Sequence, residues 1–118
     1  MRRAPVVAFL LVLAAFGCAN ALGAAPKPTL PKPTIAGNAK TGKKLFIAQQ
    51  CGSCHLMGAA NQMDGSGEGP DLDHVTKTYP QIVTQITKGG HGMTGYAKVL
   101  TPAQIQDLAA FIYTTSHT

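Results

Sequence analysis

The chain has no second Cys/His pair to complement the one at residues 51–55. A structural zinc site normally takes four such ligands, usually as two close pairs. The remaining cysteine, Cys18, lies in an apolar leader, and His74, His91 and His117 are scattered singly. No segment shows the sustained apolar/polar alternation of a strand. That removes the βαβ setting in which Cys-X-X-Cys serves as a redox dithiol, and the residues ahead of the pair, Asn38 to Gln50, read as helix. An excess of one charge is missing too. The formal net charge is +5, but Arg2, Arg3, Lys27 and Lys32 precede the main domain, where six lysines against five acids leave +1. Such a domain offers no basic face for nucleic acid. Asp64, Glu68, Asp71 and Asp73 crowd one Gly-rich stretch without the spacing of an EF-hand, so they read as a solvated acidic loop rather than a calcium site. No distal acid/base set for peroxide chemistry and no small-molecule substrate site stands out.

What is present is Cys51-Gly52-Ser53-Cys54-His55. Two cysteines two residues apart, with histidine directly after the second, form the attachment pattern of c-type haem. The thiols add across the two vinyl groups of one haem as thioethers. The histidine is thereby held under the porphyrin, where its Nε2 can bind iron. All three side chains serve one cofactor, which makes this short motif specific.

The leader indicates where attachment occurs. Met1-Arg2-Arg3 is followed by an apolar run from Val6 to Phe16 and small residues from Gly17 to Ala25, the three-part layout of an export signal. Three fates for residues 1–25 stay open. A plain cut could follow Ala21 or Ala25. Ala15-Phe16-Gly17-Cys18 resembles a lipoprotein cleavage box, which would leave Cys18 lipidated. Val6 to Ala25 is also just long enough to be kept as a membrane anchor. Each fate puts the protein outside the cytoplasm, in a bacterial periplasm or on the outer face of the cytoplasmic membrane. Residues 26–37 contain a tandem repeat, Pro26-Lys27-Pro28-Thr29-Leu30 and Pro31-Lys32-Pro33-Thr34-Ile35. Its alternating prolines remove backbone donors and favour the polyproline conformation. The segment reads as a semi-stiff spacer that could hold a domain off a membrane, or as the tail left after signal removal.

The domain proper, residues 38–118, is too small to bury much surface of its own, and a covalent haem would complete its core. Three helices are expected. Asn38 is an N-cap for a first helix to about Gln50, with Gly42, Leu45, Phe46 and Gln49 along one side. A middle helix starts at Tyr79-Pro80, carries Ile82, Val83 and Ile86, and stops at Gly89-Gly90. Thr101-Pro102-Ala103-Gln104 has the form of a capping box for the last. Ile105, Leu108, Ala109 and Ile112 follow there at helical spacing. Leu45, Phe46, Ile82, Ile86, Leu100, Ile105, Leu108 and Ile112 are the expected core, and the fold class is all-α.

This arrangement resembles the class I cytochrome c family over nearly all of residues 38–118. The resemblance implies a small cytochrome c fold around one covalent haem c. In that family a glycine and an aromatic on the first helix cross a leucine and an aromatic on the last; Gly42 with Phe46, and Leu108 with Phe111, match them. Glu68-Gly69-Pro70-Asp71-Leu72 looks like the family's Gly-Pro-X-Leu segment, whose proline carbonyl accepts a hydrogen bond from the proximal histidine, here His55. The family places its axial methionine between the middle and last helices, where Met93 stands. Thr94 follows it in place of the frequent proline, so His91 and an open sixth position remain alternatives. Met57 and Met63 read as haem-pocket filler or loop, and Tyr79, Tyr96 and Tyr113 as packing residues.

Iron closed by His55 and Met93 would move one electron with little rearrangement, and methionine ligation raises its potential. The resemblance thus implies an electron carrier, not an enzyme, working with redox partner proteins such as a membrane oxidase or reductase complex or an exported dehydrogenase. The alternatives are a haem subunit of a larger oxidoreductase, and a gas-binding or peroxidase protein with an open iron site.

Overall fold

The computed structural model describes residues 31–118. The leader, Cys18 and the first copy of the Pro-Lys repeat lie outside the described residues. Three helices carry the architecture: α1, Ala39–Ala48; α2, Tyr79–Lys88; and α3, Pro102–Ser116. Single 3₁₀ turns at Cys51–Ser53, Gly58–Ala60 and Leu72–His74 punctuate the long connection from α1 to α2. Among the described residues there is no strand; two isolated bridges pair Met57 with Gln62 and Gly90 with Met93. No described helix is long and apolar enough to cross a membrane.

The helix ends sit where local chemistry places them. Asn38 Oδ1 accepts the backbone N–H groups of Lys40 (2.9 Å) and Thr41 (3.2 Å), which otherwise have no intrahelical partner. Asn38's own N–H donates to Asp107 Oδ1 at 2.7 Å, so the start of α1 is pinned to α3. α1 stops at Ala48, two residues before the expected limit, because Gln50 adopts a left-handed φ of 53° that turns the chain into the cysteine motif. At α2 the Thr78 N–H donates to Gln81 Oε1 at 2.9 Å, and Gly89, with φ of 71°, ends the helix. α3 has the reciprocal box: Thr101 N–H to Gln104 Oε1 at 2.9 Å, and Gln104 N–H to Thr101 Oγ1 at 3.2 Å.

α1 packs chiefly on α3, and α2 packs on α3 beside it. The α1–α3 crossing is close because residue 42 has no side chain. A Cβ there would fall on the Asp107 carbonyl oxygen and within 2.8 Å of Phe111 Cβ. That contact justifies a glycine that costs about 1 kcal/mol in a helix interior. Phe46 then meets Phe111 edge-on, with centroids 5.8 Å apart and planes at 70°. Phe46, Ile82, Ile86, Leu100, Ile105, Leu108 and Ile112 are all buried, as expected; Leu45 is half-buried against them. Ile35 also packs on this core, so the last residue of the second repeat is part of the folded body. Met57 is completely buried and serves as core, whereas Met63 is 54 % exposed.

Candidate haem-binding site

The left-handed Gln50 delivers the chain into a 3₁₀ turn over Cys51–Ser53, and both Cys54 and His55 N–H groups donate to the Cys51 carbonyl, at 3.3 and 3.0 Å. The five motif residues therefore form one compact loop. Both thiols are free, Cys51 half-buried and Cys54 exposed. Burial pushes the Cys51 thiol up to about 11, an effect only partly offset by the Tyr96 hydroxyl bonded to it. A dithiol nucleophile needs the opposite, a thiol that ionises readily at neutral pH. The Cys54 thiol lies 3.7 Å from Glu68 Oε2.

A second strip of chain, residues 66–73, is fastened along the motif. Ser66 N–H donates to the Ser53 carbonyl (2.9 Å), Gly69 N–H to Cys54 (3.0 Å) and Leu72 N–H to Leu56 (2.9 Å). Asp73 Oδ2 accepts the Gly58 N–H at 2.7 Å, and Asp71 Oδ1 accepts the Asp73 N–H at 2.9 Å. This corrects the expectation of a merely solvated acidic loop: Asp71 and Asp73 hold backbone in place. Asp71 keeps its carboxyl below the usual carboxylate range, first through that Asp73 N–H and then through His74, whose Nδ1 lies 3.1 Å from Asp71 Oδ2. His74 stands on the surface, and Asp71 is its partner.

The strip brings Pro70 to His55. The His55 Nδ1–H donates to the Pro70 carbonyl at 2.9 Å. A carbonyl can only accept, so the proton sits on Nδ1 and the lone pair on Nε2 is left for another partner. Gly69 makes room for the ring, since a Cβ there would overlap its Cε1 and Nδ1 and stand 2.9 Å from Nε2.

The loop after α2 holds the other candidates. Gly90 and Met93 exchange backbone hydrogen bonds of 2.9 and 3.0 Å across a tight turn whose two central residues, His91 and Gly92, have φ of 53° and 85°. Positive φ at both central positions is the signature of a type I′ turn. It puts His91 at an exposed tip and Met93 half-buried against the core. The Gln85 amide reaches from α2 to this loop, with Nε2 3.9 Å from Met93 Sδ and 3.4 Å from the Gly90 carbonyl. Two surface hollows, one along α2 from Lys77 to Gly89 and one between α2 and α3, are lined by none of the motif residues and not by Met93.

The donor set fits a covalently held haem. Two free thiols on one compact loop, an imidazole with Nε2 free and ring orientation fixed, and a thioether on a separate loop are the groups that cofactor uses. Among the described residues no three His, Cys, Asp or Glu side chains gather as a metal cluster of their own. Three parts of this site were missed in the sequence: the Gly69 clearance, the structural work of Asp71 and Asp73, and the Gln85 contact. Asp-X-Asp ahead of a short turn is a local capping signal and could have been read. Gln85 could not, because its partner is set by how the loop folds back.

Comparison with known proteins agrees. Residues 37–112 match the family described as "Cytochrome C oxidase, cbb3-type, subunit III". The chain is 37 % identical over 86 residues to cytochrome c6 of Gloeothece citriformis (strain PCC 7424), covering 68 % of this chain and 74 % of that protein. It is 34 % identical over 86 residues to cytochrome c6 of Rippkaea orientalis (strain PCC 8801 / RF-1), covering 70 % and 76 %. A lupanine 17-hydroxylase [cytochrome c] from Pseudomonas sp is 38 % identical over 92 residues, which are 74 % of this chain but 12 % of that protein. No solved structure gives a significant match. The chain belongs to the matched family: it is a class I, mono-haem c-type cytochrome domain with covalently bound haem c, an electron-carrying protein.

Proposed function

We propose that this cytochrome is a one-electron shuttle outside the cytoplasmic membrane, with haem fixed by Cys51 and Cys54 and its iron ligated by His55 and Met93. When bound, the haem supplies a one-electron iron couple; the chain's own residues set how that couple behaves. His55 is the proximal ligand, and the observation that carries this is its Nδ1–H bond to Pro70. That bond leaves Nε2 as the only nitrogen able to ligate and makes it a better donor. Met93 is the distal ligand. Its half-buried position beside Gln85 supports it over His91, which stands exposed at the tip of the turn. A thioether in that place keeps the iron closed in both states and the potential high.

Residues 1–25 are an export signal or anchor and residues 26–34 a spacer, shorter than the expected 26–37 because Ile35 and Gly37 lie against the folded body, so haem attachment takes place after export. The redox partners are proteins of an extracytoplasmic electron-transfer chain. A second reading has a specific observation behind it. The match to one-eighth of a lupanine 17-hydroxylase [cytochrome c] supports the same domain working as the haem module of a larger oxidoreductase.

The test is a pair of variants read by spectroscopy. Met93→Ala keeps haem through denaturation, opens the iron to carbon monoxide or cyanide, and lowers the potential on the order of 100 mV, a fraction of the roughly 0.8 V that axial ligands span. His91→Ala leaves the low-spin spectrum intact. The reverse pattern would mean bis-histidine ligation. Purification from native membranes separates the two readings: a free carrier elutes alone, a module elutes with its enzyme.

A further inference from the structure

We propose that His74 is a redox-linked proton site, taking up a proton as the iron gains an electron and releasing it as the iron loses one, through its pairing with Asp71 beside the His55–Pro70 bond. The inference rests on His55 being the axial ligand. His74 Nδ1 faces Asp71 Oδ2 at 3.1 Å, and a carboxylate can only accept, so Nδ1 carries the hydrogen. The proton therefore enters and leaves at Nε2, and the imidazole side chain is 82 % exposed to the water that supplies it.

Asp71 follows Pro70 directly, and its carboxylate is bonded at both oxygens, to the Asp73 N–H and to His74. The strip carrying them is bonded to the motif on each side of His55, at Cys54 and at Leu56. A charge appearing on His74 is thus held at a fixed place relative to the imidazole, rather than on a wandering side chain. Neighbouring charges are few. The facing segment 56–60 has no ionisable side chain. Asp73 is engaged by the Gly58 N–H, and Asp107, the one charged residue of α3, by the Asn38 N–H. Lys77 stands three residues on, exposed.

The electron comes from the redox partner and the proton from solvent, so reduction adds one negative charge at the iron and, near the titration midpoint of His74, part of one positive charge at Nε2. Linkage makes the effect reciprocal: protonated His74 favours the reduced state, and reduction favours protonated His74. The coupling is small because His74 is exposed and its field is screened. A threefold difference in proton affinity between the two states is expected, which at 59 mV per tenfold for one electron is about 28 mV.

The experiment uses the haem-loaded protein. The potential of wild type is followed from pH 4.5 to 9, and the His74 ring proton is titrated by NMR in ferrous and ferric forms. The potential should fall with rising pH across the His74 titration, and the ferrous midpoint should lie above the ferric one. His74→Gln should flatten that step without changing the low-spin spectrum. A merely structural pair would lower the melting temperature and leave the pH profile of the potential unchanged. Equal His74 midpoints in the two states, or a step that persists in His74→Gln, would overturn the proposal. A spectrum without histidine ligation would instead overturn the reading of His55, and the NMR comparison on wild type needs no variant to fold.

Discussion

Gly69→Ala is the smallest change that strikes the proposed proximal site. The added Cβ would overlap Cε1 and Nδ1 of His55 and lie 2.9 Å from Nε2. Comfortable contact begins at about 3.5 Å, so ring or backbone must retreat by roughly 1 Å. The backbone resists, because Gly69 N–H is bonded to Cys54, with Ser66 and Leu72 fastened on either side. The ring therefore moves, and the 2.9 Å bond from Nδ1 to Pro70 stretches beyond useful length. A lost hydrogen bond of about 1 kcal/mol and overpacking of about 1–3 kcal/mol add to about 2–4 kcal/mol. At about 4–8 °C per kcal/mol for a domain of this size, the melting temperature falls by roughly 8–32 °C.

The potential moves as well. Without its acceptor, His55 gives less electron density to the iron and the ferric state loses support. If 1 kcal/mol of that bond is felt differently by the two states, the potential rises by about 40 mV. Gly67→Ala is the control. Nothing lies within 4 Å of a Cβ there, but its φ of +71° costs a side chain about 1–2 kcal/mol. It should lower the melting temperature without moving the potential. Paired melts and spectroelectrochemical titrations of the two variants decide the matter. A wild-type potential in the Gly69→Ala protein, or two variants shifted alike, would show that the Gly69 clearance does not set the geometry of the iron ligand.

Three other outcomes follow from particular contacts. Gln85→Leu removes the amide donor beside Met93 Sδ; with Met93 as the proposed ligand, its sulfur would then give more density to ferric iron, and the potential should fall by up to about 40 mV in the same titration. Gly42→Ala trades about 1 kcal/mol of helix propensity against a clash with the Asp107 backbone, so thermal melts should show net destabilisation of up to about 2 kcal/mol with an unchanged potential. Asp71 has a depressed carboxyl, so its contribution is present above the ordinary carboxylate range and lost as pH falls through its folded value. Acid-unfolding curves of Asp71→Asn should accordingly lack that part of the wild-type pH dependence.

The parts of this molecule that could be read in the chain are those decided within a few residues. Asn38, Gly89 and the Thr101–Gln104 box announce helix ends because a cap needs only its own helix, and the spacing of Ile105, Leu108 and Ile112 announces a buried face for the same reason. The cysteine motif is equally local. Gly42 is the intermediate case, a costly residue whose reason lies on another helix and which only a resemblance could connect to Phe111. What could not be read depends on two strips of chain meeting at chosen atoms. The acids at 64, 68, 71 and 73 look alike in sequence, yet Asp73 bonds to Gly58, Asp71 bonds to Asp73 and His74, and Glu68 lies against Cys54. Composition gives all four the same solvated surface, and only the fold of residues 66–73 along the motif separates them. The same holds for Met57 and Met63, six residues apart and both near the motif, of which one is core and the other exposed. Tuning of the proposed site is therefore expected mainly from residues outside the cysteine motif, so variants at Gly69, Asp71 and Gln85 test it more directly than further substitution of the cysteines.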